Sequence, residues 1–208
     1  MIMETVDAAM IERTNASQKP PVIFIHGLWS KPSSWDRWAE MFEAAGYAPL
    51  APGWPAELGG AAAPETIGEV AAHFARIAGA LDRRPALIGH SFGGLIAQTL
   101  AGRGLSAATV AIEPAPFRGM LELPVWTEAP VDVEAAGRGP LLTISGERDH
   151  TVPPSVTRAA YERQKRNKHP VTEFVQLPRR DRSLPINSGW REVAQTALTF
   201  VRRFLCLP

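Results

Sequence analysis

The sequence lacks a second cysteine: Cys206 stands alone, so an internal disulfide is excluded and a reducing cytosol is the expected compartment. It also lacks an excess of either charge. Twenty-two Lys and Arg against 21 Asp and Glu leave a net charge of +1, too little to build a field for nucleic acid or an anionic lipid surface. The cluster of Arg179, Arg180 and Arg182 reads as a solvated loop or a local ion pair. No apolar run is long enough to span a bilayer, and residues 1–20 place Glu4, Asp7, Glu12 and Arg13 among small residues, unlike the unbroken apolar core of a signal peptide. No repeat is visible. What is present is ordinary globular composition, with 208 residues of which 45% are hydrophobic and 21% charged, enough for one domain with a real core. The expectation is a soluble, cytoplasmic, single domain over residues 20–208, preceded by a poorly ordered lead-in over residues 1–19. Its partner is expected to be a small molecule, with no nucleic acid and no membrane.

From Val22 onward, short apolar runs alternate with helical periods. Val22 to Ile25, Ala86 to Gly89, Ala108 to Ile112 and Leu141 to Ser145 are continuous, partly β-branched runs, as expected of strands covered on both faces of a parallel sheet. Tyr47 to Ala51 is a poorer strand, and Val171 to Leu177 alternates like a strand nearer the sheet edge. Helical spacing follows over about 33–45, 65–81, 155–166 and 190–205, the first stopped by Gly46. The third of these carries neither of the candidate bases discussed below, and His73 on the 65–81 helix reads as a packing or surface histidine. This order predicts a three-layer α/β/α sandwich with a mainly parallel sheet and right-handed connections. Ligands of such sheets sit beyond the strand C-termini. The 26–29 segment, Ser91, Glu113, Asp149 and the 179–184 loop all follow strand ends and therefore share one rim.

The chain is organised around Gly89-His90-Ser91-Phe92-Gly93, a G-x-S-x-G pattern with a strand before it and a helix after it. A serine on so sharp a turn needs neighbours without a Cβ, so that strand and helix approach closely. The turn exposes the hydroxyl and puts the Phe92 N–H at a helix N-terminus, where negative charge is stabilised.

With His26-Gly27 after the first strand and Gly146-Glu147-Arg148-Asp149-His150-Thr151-Val152-Pro153 after a late one, the chain resembles the α/β-hydrolase fold family, of serine esterase and lipase type, over about residues 20–206. The resemblance implies Ser91 as nucleophile, Asp149 as the acid that orients the base, and the backbone N–H groups of Leu28 and Phe92 as the oxyanion hole, with Trp29 beside them toward the substrate. It implies a carboxylic ester as substrate and no metal or organic cofactor. Asp149 has a second reading as a helix cap, and Glu113 one as a substitute acid or a rigid turn residue before Pro114. His26 and His90 read as structural. Trp54 and Trp126 divide between an acyl pocket and packing.

Two departures stand out. In look-alikes the residue before Ser-Leu in the loop after the last strand is the catalytic histidine, whereas here it is Arg182, which cannot accept a proton. Paired with Asp149, it would hold that acid in a structural ion pair. His150 is the stand-in base that keeps the order serine, acid, histidine, although consecutive residues point apart. His169 precedes the last strand and so lies about 20 Å from the rim. The second departure is length: roughly 25 residues separate the strands ending near Glu113 and starting near Leu141, where relatives insert a helical cap. The reading is therefore a serine ester hydrolase impaired by Arg182. The alternative is a catalytically silent α/β-hydrolase-like protein that binds a small molecule or a protein through the same rim. Neither reading fixes an oligomeric state.

Overall fold

A computed structural model of the chain describes residues 5–55, 66–116, 131–168, 170–181 and 184–207. Six strands, β1 (Pro21–Ile25), β2 (Ala48–Leu50), β3 (Ala86–His90), β4 (Ala108–Ile112), β5 (Leu141–Gly146) and β6 (Thr172–Leu177), form one sheet in the order β2-β1-β3-β4-β5-β6. Every neighbouring pair is parallel. The helices are α1 (Thr5–Ser17), α2 (Asp36–Ala44), α3 (Ile67–Gly79), α4 (Phe92–Gly102), α5 (Pro154–Lys165) and α6 (Trp190–Arg202), with a 3-10 turn over Pro32–Trp35 leading into α2.

The period of two along β1 divides the core. Val22 and Phe24 face α2 and α6 in one hydrophobic cluster, whereas Ile23 and Ile25 face α3 and α4 in the other. The first cluster is aromatic: Phe24 stacks on Trp35 at 5.1 Å and meets Phe42 edge-on at 5.3 Å. Trp38 in this cluster also donates its indole N–H to the Pro185 carbonyl at 3.0 Å, which ties α2 to the loop that follows β6. On the other face α3 starts with a full capping box between Thr66 and Glu69, a local signal the sequence carries directly. Gln164 of α5 bonds Gln98 of α4 at 3.1 Å, placing α5 beside α4.

Chain order sets the site. From β1 the chain runs through α2 to β2 on one side, then returns through α3 to β3 on the other, so the connections leave β1 in opposite directions. The crevice beyond the C-terminal ends of β1 and β3 is the topological switch point, the usual ligand position in open parallel sheets.

One expectation is revised. The stretch expected as an unstructured lead-in contains α1, docked through the buried Asp7 and Ile11. The helix escaped notice because it presents almost no apolar stripe. Its anchor is polar: Asp7 Oδ2 lies 3.6 Å from Nε2 of His73, both buried, so His73 is a packing residue with a charged partner. Removing one member of a buried pair is expensive. Asp7→Asn is expected to lower stability by about 1–3 kcal/mol, read as a drop in thermal midpoint; an unchanged midpoint would mean that α1 adds nothing to the fold. Arg138, just before β5, is likewise fully buried. Its Nη2 donates to Thr172 Oγ1 at 2.6 Å and approaches the Gln164 carbonyl at the end of α5, where a cation is favoured. Burial lowers its pKa to about 10, so it stays cationic at neutral pH and pins the segment before β5.

Candidate active site

Ser91 occupies the turn between β3 and α4 with φ 55° and ψ −118°, a backbone conformation rarely tolerated by a side-chain-bearing residue. Its neighbours explain how it persists. A Cβ on Gly93 would lie 2.0 Å from the Ile25 carbonyl oxygen, and one on Gly89 would lie 2.1 Å from that of Gly93. Both positions must be glycine for β1, β3 and α4 to approach this closely. The strained residue is also gripped from β4: the Ser91 N–H donates to the Ile112 carbonyl at 2.9 Å, and the Ser91 carbonyl accepts from the Ala115 N–H at 3.0 Å. Ser91 is 4% exposed, and the point a Cβ on Gly27 would occupy is 3.3 Å from its own Cβ. The elbow and the loop after β1 are thus in contact across the switch point.

That loop carries the second expected component. His26 is buried, its Nδ1 donating to the Gly27 carbonyl at 2.8 Å and its ring stacked on Trp54 at 5.8 Å. Trp54 returns an indole N–H bond to the His26 carbonyl at 3.3 Å. His26 and Trp54 therefore shape the loop. A tight turn closed by the Ser30 N–H on the Gly27 carbonyl at 3.1 Å then presents Leu28, half-buried, and Trp29, 76% exposed. Phe92 opens α4, so its N–H lies in the positive first turn of that helix.

Asp149 follows β5 and is 2% exposed. Its Oδ1 accepts the N–H groups of Thr151 at 2.7 Å and Val152 at 2.9 Å, while Oδ2 has no hydrogen-bond partner among the described residues. The helix-cap reading finds no support: α5 begins at Pro154 after Pro153, with no side-chain cap bond. His150 is exposed and makes no hydrogen bond or ion pair with a described residue, as expected when consecutive side chains point apart.

The loop after β6 is bound to the turn that carries Asp149. Arg148 N–H donates to the Arg180 carbonyl at 2.8 Å, and Arg179, at φ 60°, donates its N–H to Glu147 at 2.7 Å. A Cβ on Gly146 would lie 2.7 Å from the Arg180 carbonyl oxygen and 3.0 Å from that of Asp181. Residues 179–181 therefore pack against the turn that holds Asp149. Arg182 itself lies outside the described residues, as do His169, Trp126 and residues 117–130, part of the stretch where a cap was expected to be missing. Arg180 pairs with Glu192 at 2.8 Å, so part of the basic cluster is a local ion pair.

One polar pair at this rim was not legible as such. Glu113, 1% exposed and at φ 44°, brings Oε2 to 3.4 Å from Nε2 of His90, and its Oε1 lies 2.8 Å from where a Gly146 Cβ would be. A glutamate before proline at a strand end was the available signal, but pairing with the residue before the serine depends on β3–β4 register. Among the described residues, no group of three or more His, Cys, Asp and Glu could hold a metal ion, and no helix is long and apolar enough to cross a membrane.

No curated protein matches the sequence. Solved structures do match the fold. A monoacylglycerol lipase from Paleococcus ferrophilus superposes with a TM-score of 0.72 at 18% identity, covering 89% of this chain and 96% of that one. A thermophilic esterase from Thermogutta terrifontis superposes with a TM-score of 0.67 at 17% identity, covering 89% and 90% respectively. The sequence model of the alpha/beta hydrolase family matches residues 22–205. With that span of match, and with a parallel sheet that carries a strained serine at its switch point, the chain belongs to the alpha/beta hydrolase family.

Proposed function

We propose that the protein is a serine hydrolase of carboxylic esters whose nucleophile and oxyanion hole are in place and whose general base is impaired. The observation that carries this reading is Ser91, held at φ 55° by backbone bonds from β4 and by two glycines that no other residue can replace. Strain of this kind costs about 1–3 kcal/mol and persists where the surroundings enforce it. In the proposed reaction Ser91 Oγ adds to the ester carbonyl and the N–H groups of Leu28 and Phe92 receive the developing oxyanion. The alcohol then departs, and water releases the acid from the acyl-enzyme. Trp29 offers an exposed apolar face for the acyl or alcohol group.

The proton is the difficulty. The Ser91 hydroxyl proton needs an acceptor that later protonates the leaving alcohol; Arg182 is no acceptor, and His150 is turned to solvent. Loss of the base from such a site costs on the order of 10⁴–10⁶ in turnover, while the oxyanion hole retains some catalysis. That same observation favours the second reading, a silent protein that binds a small molecule or a partner through the rim.

A fluorophosphonate probe separates the two. Covalent labelling of the native protein that disappears in Ser91→Ala is the expected result, accompanied by slow hydrolysis of p-nitrophenyl acetate. A folded protein with no Ser91-dependent adduct would sink the enzyme reading and leave the binding one.

A further inference from the structure

We infer that Glu113 is a positioning residue for the nucleophile, acting through His90; this rests on the reading of Ser91 as nucleophile. Three observations converge on it. Glu113 is fully enclosed and held at φ 44°, a conformation costly for a side chain of its length and one that glycine or asparagine would adopt more readily. The positive φ turns the chain so that the residues on either side of Glu113 grip Ser91: the Ile112 carbonyl takes the serine N–H and the Ala115 N–H bonds the serine carbonyl. The carboxylate, for its part, is directed at the elbow, with Oε2 3.4 Å from His90 Nε2.

His90 is the residue immediately before Ser91, and a Cβ on Gly27 would be 3.7 Å from its Nδ1. The ring is therefore held between the loop after β1 and the buried carboxylate that follows β4. On the far side the same carboxylate lies against Gly146, the residue that opens the turn of Asp149. The Glu113 side chain thus bridges the elbow and the turn of Asp149, and the His90 ring carries the contact on to the loop after β1. A backbone hinge alone would need no carboxylate, and glycine would serve it better. Glu113 does not touch the reacting atoms in this arrangement; it sets the orientation of Ser91 relative to the oxyanion donors, and misplacement by about 1 Å costs on the order of 10²-fold in such sites.

The test is the second-order rate of fluorophosphonate labelling in the native protein and in Glu113→Gln, Glu113→Gly, His90→Gln and the Glu113→Gln/His90→Gln double variant, each checked for folding by its thermal transition. Glu113→Gly relieves the left-handed backbone and so remains usable if the isosteric variant folds poorly. The expected result is a fall of about 10- to 100-fold in each single variant, with the double variant no slower than the worse single, since coupled residues are not additive. Labelling of Glu113→Gly at the native rate would mean that only the turn matters and would overturn the inference, as would additive losses in the double variant. If the native protein takes no Ser91-dependent label, the reading of Ser91 fails, and NMR decides the positioning role separately. Joint shifts of the His90 imidazole and Ser91 amide resonances in Glu113→Gln support it, and an unmoved Ser91 amide overturns it.

Discussion

Replacing Arg182 by histidine is expected to raise the kcat for p-nitrophenyl acetate by about 10²–10⁴, the usual contribution of a positioned general base. A guanidinium holds its protons at any accessible pH, so the serine proton has no acceptor at that position, whereas a neutral imidazole accepts it and returns it to the leaving alcohol. The loop after β6 is bonded to the turn after β5 through Arg148 and Arg180 and through Arg179 and Glu147, so position 182 follows directly from a segment packed against Gly146. Asp149 has one oxygen committed to Thr151 and Val152, and its Oδ2 is without a hydrogen-bond partner among the described residues. A histidine at position 182 that donates one ring N–H to that oxygen and accepts the serine proton at its other nitrogen is the arrangement this substitution tests. Two controls bound the result: Ser91→Ala in the Arg182→His background abolishes the gain, and Asp149→Asn in that background removes most of it. A folded Arg182→His variant with native activity would show that the base belongs elsewhere.

Gly93→Ala is expected to be among the most damaging glycine-to-alanine changes at the described residues. The new Cβ would meet the Ile25 carbonyl carbon at 2.6 Å and its oxygen at 2.0 Å, both backbone atoms at the end of strand β1. Neither a rotamer change nor a small side-chain shift relieves a clash between two backbones. Relief requires α4 to move off the sheet, which would also break the grip of Ile112 and Ala115 on Ser91. The expected loss exceeds about 3 kcal/mol, or a fall in thermal midpoint of about 10 °C, with Ser91 labelling lost. Gly79→Ala, at the end of α3 with nothing within 4 Å of its Cβ position, is the control and should stay within about 1 kcal/mol of native. If Gly93→Ala melts with the native protein, the close approach of strand and helix is not what the elbow depends on.

Much of this site is local in origin and was legible in the chain. Strand, Gly-His-Ser-Phe-Gly and helix are consecutive, so the strained serine, its two glycines and the helix N-terminus follow from one short stretch. Asp149 was legible for a similar reason, since its bonds run to residues two and three further on. Arg182 was legible as a chemical misfit, because a residue type alone decides whether a proton can be accepted. By contrast, α1 was missed because its docking depends on Asp7 meeting His73, 66 positions away, with no apolar period to announce it. Glu113 was seen only as a candidate acid or turn residue; its pairing with His90 requires β3 and β4 to be neighbours in a particular register.

The sequence by itself therefore determined the alternation of strands and helices, the position of the strained serine between its two glycines, and the presence at position 182 of an arginine, which accepts no proton. These depend on period, on missing Cβ atoms and on side-chain pKa, all of which act over a few residues. Only the tertiary structure decided which rim groups meet. Ser91 is gripped by β4, the Arg180 loop is bonded to the turn of Asp149, and Glu113 reaches both the elbow and Gly146. Those contacts join residues far apart in the chain, and strand order and register, set by how the two core faces close on the sheet, are what bring them together.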